Sequence, residues 1–214
     1  MTCYTRNVSY GRIGITGDFY SGKTTLGRTL KDRGWVVFDQ SAMLKELASQ
    51  ALRSIGKDIP PDTLNRDKAR YRGFLKEFGA TIGWDDGFGV RHCLRKWDEL
   101  SRPEPVAVTD IRSQAQWDLL ASEGFTLVRL VVPAAFIKQR ALALGVSGDQ
   151  LEQMQRPENS FKLPLQPNEV IISSIQMSTS DGGGEVPSVR QMSPDEVADL
   201  VIAKVATNEL GVAF

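Results

Sequence analysis

The sequence predicts an α/β fold built on a parallel sheet, and three observations carry that expectation. Apolar runs such as VAVTD (106–110) and LVRLVV (127–132) are almost unbroken, as strands buried on both faces require. Longer amphipathic stretches separate them, so strand and helix alternate along the chain. The 214 residues are 41% hydrophobic and 24% charged, enough for one sizeable core or one core with an inserted lid. That balance excludes a wholly disordered or fibrous chain.

In chain order, strands are expected at Tyr10–Thr16, Gly34–Asp39, Pro105–Asp110, Phe125–Val132 and Glu169–Ser173. Between the second and third lies an all-helical excursion, about 56–100, in which DTLNRDKARYRGFLKEF (62–78) reads as helix and GATIGWDDG (79–87) is punctuated by glycine. Such an excursion is either a second binding wall or plain packing. After the fourth strand, residues 142–164 are polar and interrupted by Gly145, Gly148 and Pro157, and are expected to be mobile. STSDGGGEVPS (178–188) reads as a flexible surface loop. Ser193-Pro194-Asp195-Glu196 then supplies an N-cap, a proline at the first helical position and a capping-box glutamate, ahead of the apolar spacing Val197, Leu200, Val201, Val205. The whole, 1–214, is read as a single domain.

Lys plus Arg and Asp plus Glu both number 26, so the net charge is zero and no global basic field exists to attract nucleic acid. The first ten residues are polar, and Arg129 and Pro133 break the longest apolar stretch, so no secretion or membrane span is expected; the location implied is cytoplasmic. Cys3 and Cys93 are far apart, and His92 is the sole histidine. Reduced thiols and structural roles for His92 and Cys93 are therefore expected in place of a disulfide framework, a zinc site or histidine catalysis.

The most specific signal is Gly17-Asp18-Phe19-Tyr20-Ser21-Gly22-Lys23-Thr24, which fits GxxxxGK[ST] and sits between an expected strand and helix. Its glycines let backbone N–H groups converge on phosphate oxygens, at the positive end of the following helix. Residues 17 to 25, Thr25 included, would hold ATP, with Lys23 bridging the β- and γ-phosphates and Thr24 ligating Mg²⁺. No guanine-reading NKxD-like sequence is present, which favours ATP. The strand ending in Asp110 looks like a Walker B strand, whose carboxylate holds Mg²⁺ through water or positions a substrate; alternatively Asp110 caps the next helix. Arg112 offers a planar fork for a phosphate, or pairs with a carboxylate such as Asp118. Asp39, at the same sheet edge, orients or deprotonates an acceptor, or caps the helix near Ser41. Arg66, Arg70 and Arg72, with Arg66 and Arg70 at i, i+4, form either a solvated face or an acceptor-phosphate site.

Together GDFYSGKTT, FLKEFGATIGWDDGF (74–88) and VTDIRSQAQWDLLASEGFTLVRLVVP (108–133) resemble the phage-type deoxynucleoside monophosphate kinases, a branch of the P-loop kinases. The resemblance covers most of residues 10–173. It implies a P-loop NTPase fold with a five-stranded parallel sheet in the order 2-3-1-4-5, helices on both faces, an ATP donor with Mg²⁺, a deoxynucleotide acceptor and an arginine-bearing lid. Carried onto this chain, the lid spans about 142–164 and brings Arg140 and Arg156 to catalysis beside Lys23, Asp39 and Asp110. The acceptor would be met by Asp39, Arg70, Arg72, Gly79, Trp84 and Arg112. Related P-loop kinases act on dephospho-coenzyme A, and some phage relatives on hydroxymethylated pyrimidines in DNA, so both acceptors stand as alternatives. If the chain is phage-encoded, the host cytoplasm is its place. A homodimer stays open, as does a non-enzymatic nucleotide switch.

Overall fold

A computed structural model of the chain describes residues 11–155, 163–166, 169–178 and 188–209. Strands β1 (Arg12–Gly17), β2 (Val36–Asp39), β3 (Val106–Thr109), β4 (Thr126–Val131) and β5 (Val170–Ser173) pair in parallel in the order β2-β3-β1-β4-β5. The strands expected from the sequence all form, and the order agrees with the one the resemblance implies. Because β1 lies centrally, its carboxyl end meets those of β3 and β4. Ile15 is in register with Thr109 and Val128, and Asp39 with Thr109.

Side-chain alternation along the strands divides the core into two layers. Ile13, Ile15, Ala107, Val128 and Leu130 face helices α1 (Lys23–Asp32) and α9 (Pro194–Glu209), through Leu26, Leu30, Val197 and Val201. Val106, Val108 and Leu127 face α5 (Gly89–Glu99) and α6 (Gln114–Ser122), through Val90, Trp97, Trp117 and Leu120. Helix α9 begins as its sequence dictates. The Ser193 hydroxyl accepts from the Glu196 N–H at 3.2 Å, and Glu196 Oε2 accepts from the Ser193 N–H at 2.7 Å.

The helical excursion departs from the expectation of one long helix. After α2 (Gln40–Ser54), it holds α3 (Pro61–Arg66) and α4 (Lys68–Thr81), divided at Asp67. Arg66 and Arg70 thus lie on different helices, and their i, i+4 spacing does not set them on one helical face. These helices enclose their own small core of Ala48, Leu52 and Leu64 with Tyr71, Phe74 and Phe78. A kinked turn, Trp84–Phe88, with Gly87 at φ 100°, leads into α5.

After β4, helices α7 (Ala134–Ala143) and α8 (Gly148–Gln155) pack through Ile137, Ala141 and Leu151 against Val132 and Tyr20. Of the expected lid, 142–155 take in the end of α7 and all of α8; Arg156 and the rest of 156–162 lie outside the described residues. The expected surface loop is bordered by an antiparallel hairpin, β6 (Ile175–Ser178) with β7 (Ser188–Gln191), and 179–187 lie outside the description.

Candidate functional site

The turn from β1 to α1 is built around two glycines. Gly17, at φ 145°, touches the next strand so closely that a Cβ there would stand 2.6 Å from the Leu130 carbonyl oxygen and 2.8 Å from Ser21 Oγ. Gly22, at φ 99°, starts α1, and no side chain caps that helix. Its first-turn N–H groups are therefore left for an anion, as the loop motif anticipates. Thr24 and Thr25 are exposed on that turn. Lys23 folds back over the loop and donates from Nζ to the carbonyls of Gly17 at 2.6 Å and Asp18 at 2.7 Å, while Asp110 Oδ1 stands 3.9 Å away. Burial lowers the Lys23 pKa, and Asp110 opposes that.

Asp110 follows β3 in a left-handed conformation, φ 70°, with its side chain only 15% exposed. It makes a close hydrogen-bonded ion pair with Arg112 Nη2. Burial pushes this carboxyl up, but Arg112 and Lys23 outweigh it, and the pKa lies below the usual carboxylate value. Helix α6 is capped by Ser113, whose hydroxyl accepts from the Gln116 N–H at 3.2 Å; Asp110 is not the cap. Arg112 pairs with Asp110 and not with Asp118, which accepts from Gln114 Nε2 at 2.7 Å. Asp39 caps α2, with Oδ1 accepting from the Ala42 N–H at 3.1 Å.

Phe19 gathers cations. The Arg72 and Arg112 guanidinium carbons lie 5.6 and 6.0 Å from its ring centroid. Arg70 does not join them; it sits 5.4 Å over Tyr71. Arg140, from α7, donates Nη1 to the Tyr20 carbonyl at 2.9 Å and Nη2 to Ser174 Oγ at 3.5 Å, so α7 reaches the loop between β1 and α1. Tyr20 itself is held at φ 59°. Trp84 is 5% exposed, and a Cβ at Gly79 would stand 3.6 Å from Leu44 and from Trp84 Cβ, so both shape the helical wall from within.

Sequence reasoning passed over Asp85, Gln40, Lys45 and Gln116. Gln116 is fully buried. Its Oε1 accepts from the Arg112 N–H at 2.8 Å, while Nε2 donates to Gln40 Oε1 and the Trp84 carbonyl at 3.2 Å and to Asp85 Oδ1 at 3.3 Å. The signal for it was available: Gln116 lies one turn before Leu120, a polar residue where helical periodicity asks for an apolar one. Lys45 donates to Ser41 Oγ and Asn65 Oδ1, each at 3.1 Å, tying α2 to α3. Among the described residues, no three acidic, histidine or cysteine side chains cluster as a metal site.

No protein-family model matches the sequence, and no curated protein matches it. Solved structures do. A candidate kinase from Chloroflexus aurantiacus is 16% identical with a TM-score of 0.53, the match covering 96% of this chain and 98% of that one. A gluconokinase from Sinorhizobium meliloti is 17% identical with a TM-score of 0.49, over 95% and 97% of the two chains. A shikimate kinase from Aquifex aeolicus is 17% identical with a TM-score of 0.44, over 94% and 99%. With its sheet order and its phosphate loop between β1 and α1, the chain has the fold of the P-loop kinases.

Proposed function

We propose that the protein transfers a phosphoryl group from ATP to the 5′-phosphate of a deoxynucleoside monophosphate, giving the diphosphate. The observation that carries this reading is the convergence of cationic side chains on one loop: Lys23 from α1, Arg72 from α4, Arg112 after β3 and Arg140 from α7. Phosphoryl transfer needs positioning and charge neutralisation far more than covalent chemistry, and an acceptor that is itself anionic adds to that need. The loop N–H groups, Lys23 and residues 17–25 hold the donor. Arg112 and Arg72 meet the acceptor phosphate, and Arg140 brings positive charge from the lid side.

The Thr24 hydroxyl and the Asp110 carboxylate are hard oxygen donors of the kind Mg²⁺ takes, and they would hold it; bound there, the ion neutralises charge on the β- and γ-phosphates. A second reading, a hydroxyl acceptor such as a hydroxymethylated pyrimidine in DNA, is favoured by one observation. Asp39 ends β2 and Asp110 follows the adjacent β3, at the same edge of the sheet, where a carboxylate can take the proton of a hydroxyl nucleophile.

A coupled assay of ATP turnover with each deoxynucleoside monophosphate, dephospho-coenzyme A and hydroxymethyluracil DNA separates these. Turnover with a mononucleotide is the expected result. Turnover with the DNA alone would establish the second reading, and turnover with dephospho-coenzyme A alone would overturn both.

A further inference from the structure

Three carboxylates, Asp110, Asp85 and Asp39, act electrostatically on Arg112, and two are already committed. Asp110 pairs with Arg112 and Lys23, and Asp39 caps α2. Asp85 is different. Its side chain makes one described hydrogen bond, the 3.3 Å contact from Gln116 Nε2 to Oδ1, although an ionised carboxylate offers about four lone-pair sites. It is half-buried, and burial raises its pKa against the opposing pull of Arg112. The residue is also fixed. Its backbone carbonyl accepts from Ser113 Oγ, the preceding Trp84 is packed in the wall, and the Trp84 carbonyl accepts from Gln116. One planar amide, that of Gln116, thereby joins the Arg112 backbone to an Asp85 oxygen.

A carboxylate held in place by its backbone, with one described side-chain hydrogen bond and within the electrostatic reach of Arg112, can accept a further hydrogen bond from a ligand. We infer that Asp85 is a specificity-determining residue of the acceptor site, accepting a hydrogen bond from the acceptor's sugar hydroxyl, with Gln116 as its positioning residue. The inference rests on the nucleotide reading above. There, with the acceptor phosphate on Arg112, the sugar of a deoxynucleotide carries a single donor, its 3′-hydroxyl, and that group lies closer to the 5′-phosphate than any donor of the base. An acceptor that displaces water from this half-buried carboxylate without supplying the hydroxyl binds less well.

The test compares kcat/KM for the best deoxynucleoside monophosphate and its 2′,3′-dideoxy counterpart in the wild type, Asp85→Ala and Gln116→Met. The wild type should prefer the hydroxylated acceptor by about tenfold or more. Asp85→Ala should bring the ratio within about threefold of unity while leaving the KM for ATP unchanged, because the lost interaction is made only with the acceptor. Gln116→Met should raise the acceptor KM and lower the ratio partway. Asp85→Asn, which keeps the volume, replaces the alanine variant if that fails to fold, and should also lower the ratio. A wild type without preference, or an Asp85 variant that keeps the full preference, overturns the inference alone. A wild type that turns over no nucleotide overturns the nucleotide reading, and the inference with it.

Discussion

At the scale of the residue, the proposed transfer depends on the charge of Lys23. Its ammonium stands between two loop carbonyls and Asp110, where charge developing on a transferred phosphoryl group would be met. Lys23→Ala should lower kcat by roughly 10³ while leaving the melting temperature close to wild type, as steady-state kinetics and calorimetry would show. Asp110 gives a pH signature. Its folded pKa is depressed, so its contribution to stability is present above the ordinary carboxylate value, near 4, and is lost as pH falls through the folded value. Urea titrations between pH 7 and pH 2 should therefore show a steeper acid loss in the wild type than in Asp110→Asn. The loop residues were legible because each follows from one contiguous motif. Arg112 was only half legible, since its partner is chosen by the strand that fixes Asp110. Asp85 was not legible at all, because its setting is made by Gln116, which is 31 residues away in sequence.

At the scale of the element, local signals served where the residues concerned are neighbours. The capping box of α9 is such a case, and Ser193→Ala should cost about 1 kcal/mol, lowering Tm by roughly 2–4 °C in a scanning experiment. The break between α3 and α4 has no glycine or proline to announce it. It falls at Asp67, where the small helical core turns the chain so that Leu64 is buried. Tertiary packing overrides propensity there. Arg129, which on the sequence merely interrupts an apolar run, faces the α6 side of β4. It forms a close pair with Glu169, whose side chain is 2% exposed, and donates to the carbonyls of Leu163 at 2.9 Å and Pro164 at 3.0 Å. The segment at Leu163 and Pro164 is thereby tied to β4. Arg129→Met should destabilise by about 3 kcal/mol or more by stranding the buried Glu169, and adding Glu169→Leu should restore much of the loss.

At the scale of the whole molecule, the two layers on the sheet share the strands, whereas the clusters under α7–α8 and within α2–α4 are small and separate. Hydrogen exchange should accordingly be slowest in β1, β3 and β4 and faster in α3 and α8. Binding of an ATP analogue together with the acceptor should slow exchange and proteolysis in 142–155; unchanged rates with binding verified would remove the lid role from this segment. Among the described residues, no helix is long and apolar enough to cross a membrane. The sheet order could be foreseen through resemblance, whereas the hairpin of β6 and β7 could not, because its strands are only four residues each and lie either side of a glycine-rich stretch.

Phe19 belongs to the loop that would hold the donor, yet its ring touches two arginines assigned to the acceptor. Any ligand that draws Arg72 or Arg112 off the ring changes the free energy of the loop, and thermodynamic reciprocity makes the effect of ATP on that ligand equal in size. Under the proposed function the two substrates would thus not be independent occupants: through one ring each would modulate the other's affinity. In Phe19→Leu, calorimetric titration of either ligand in the presence and absence of the other should give binding constants that no longer depend on order.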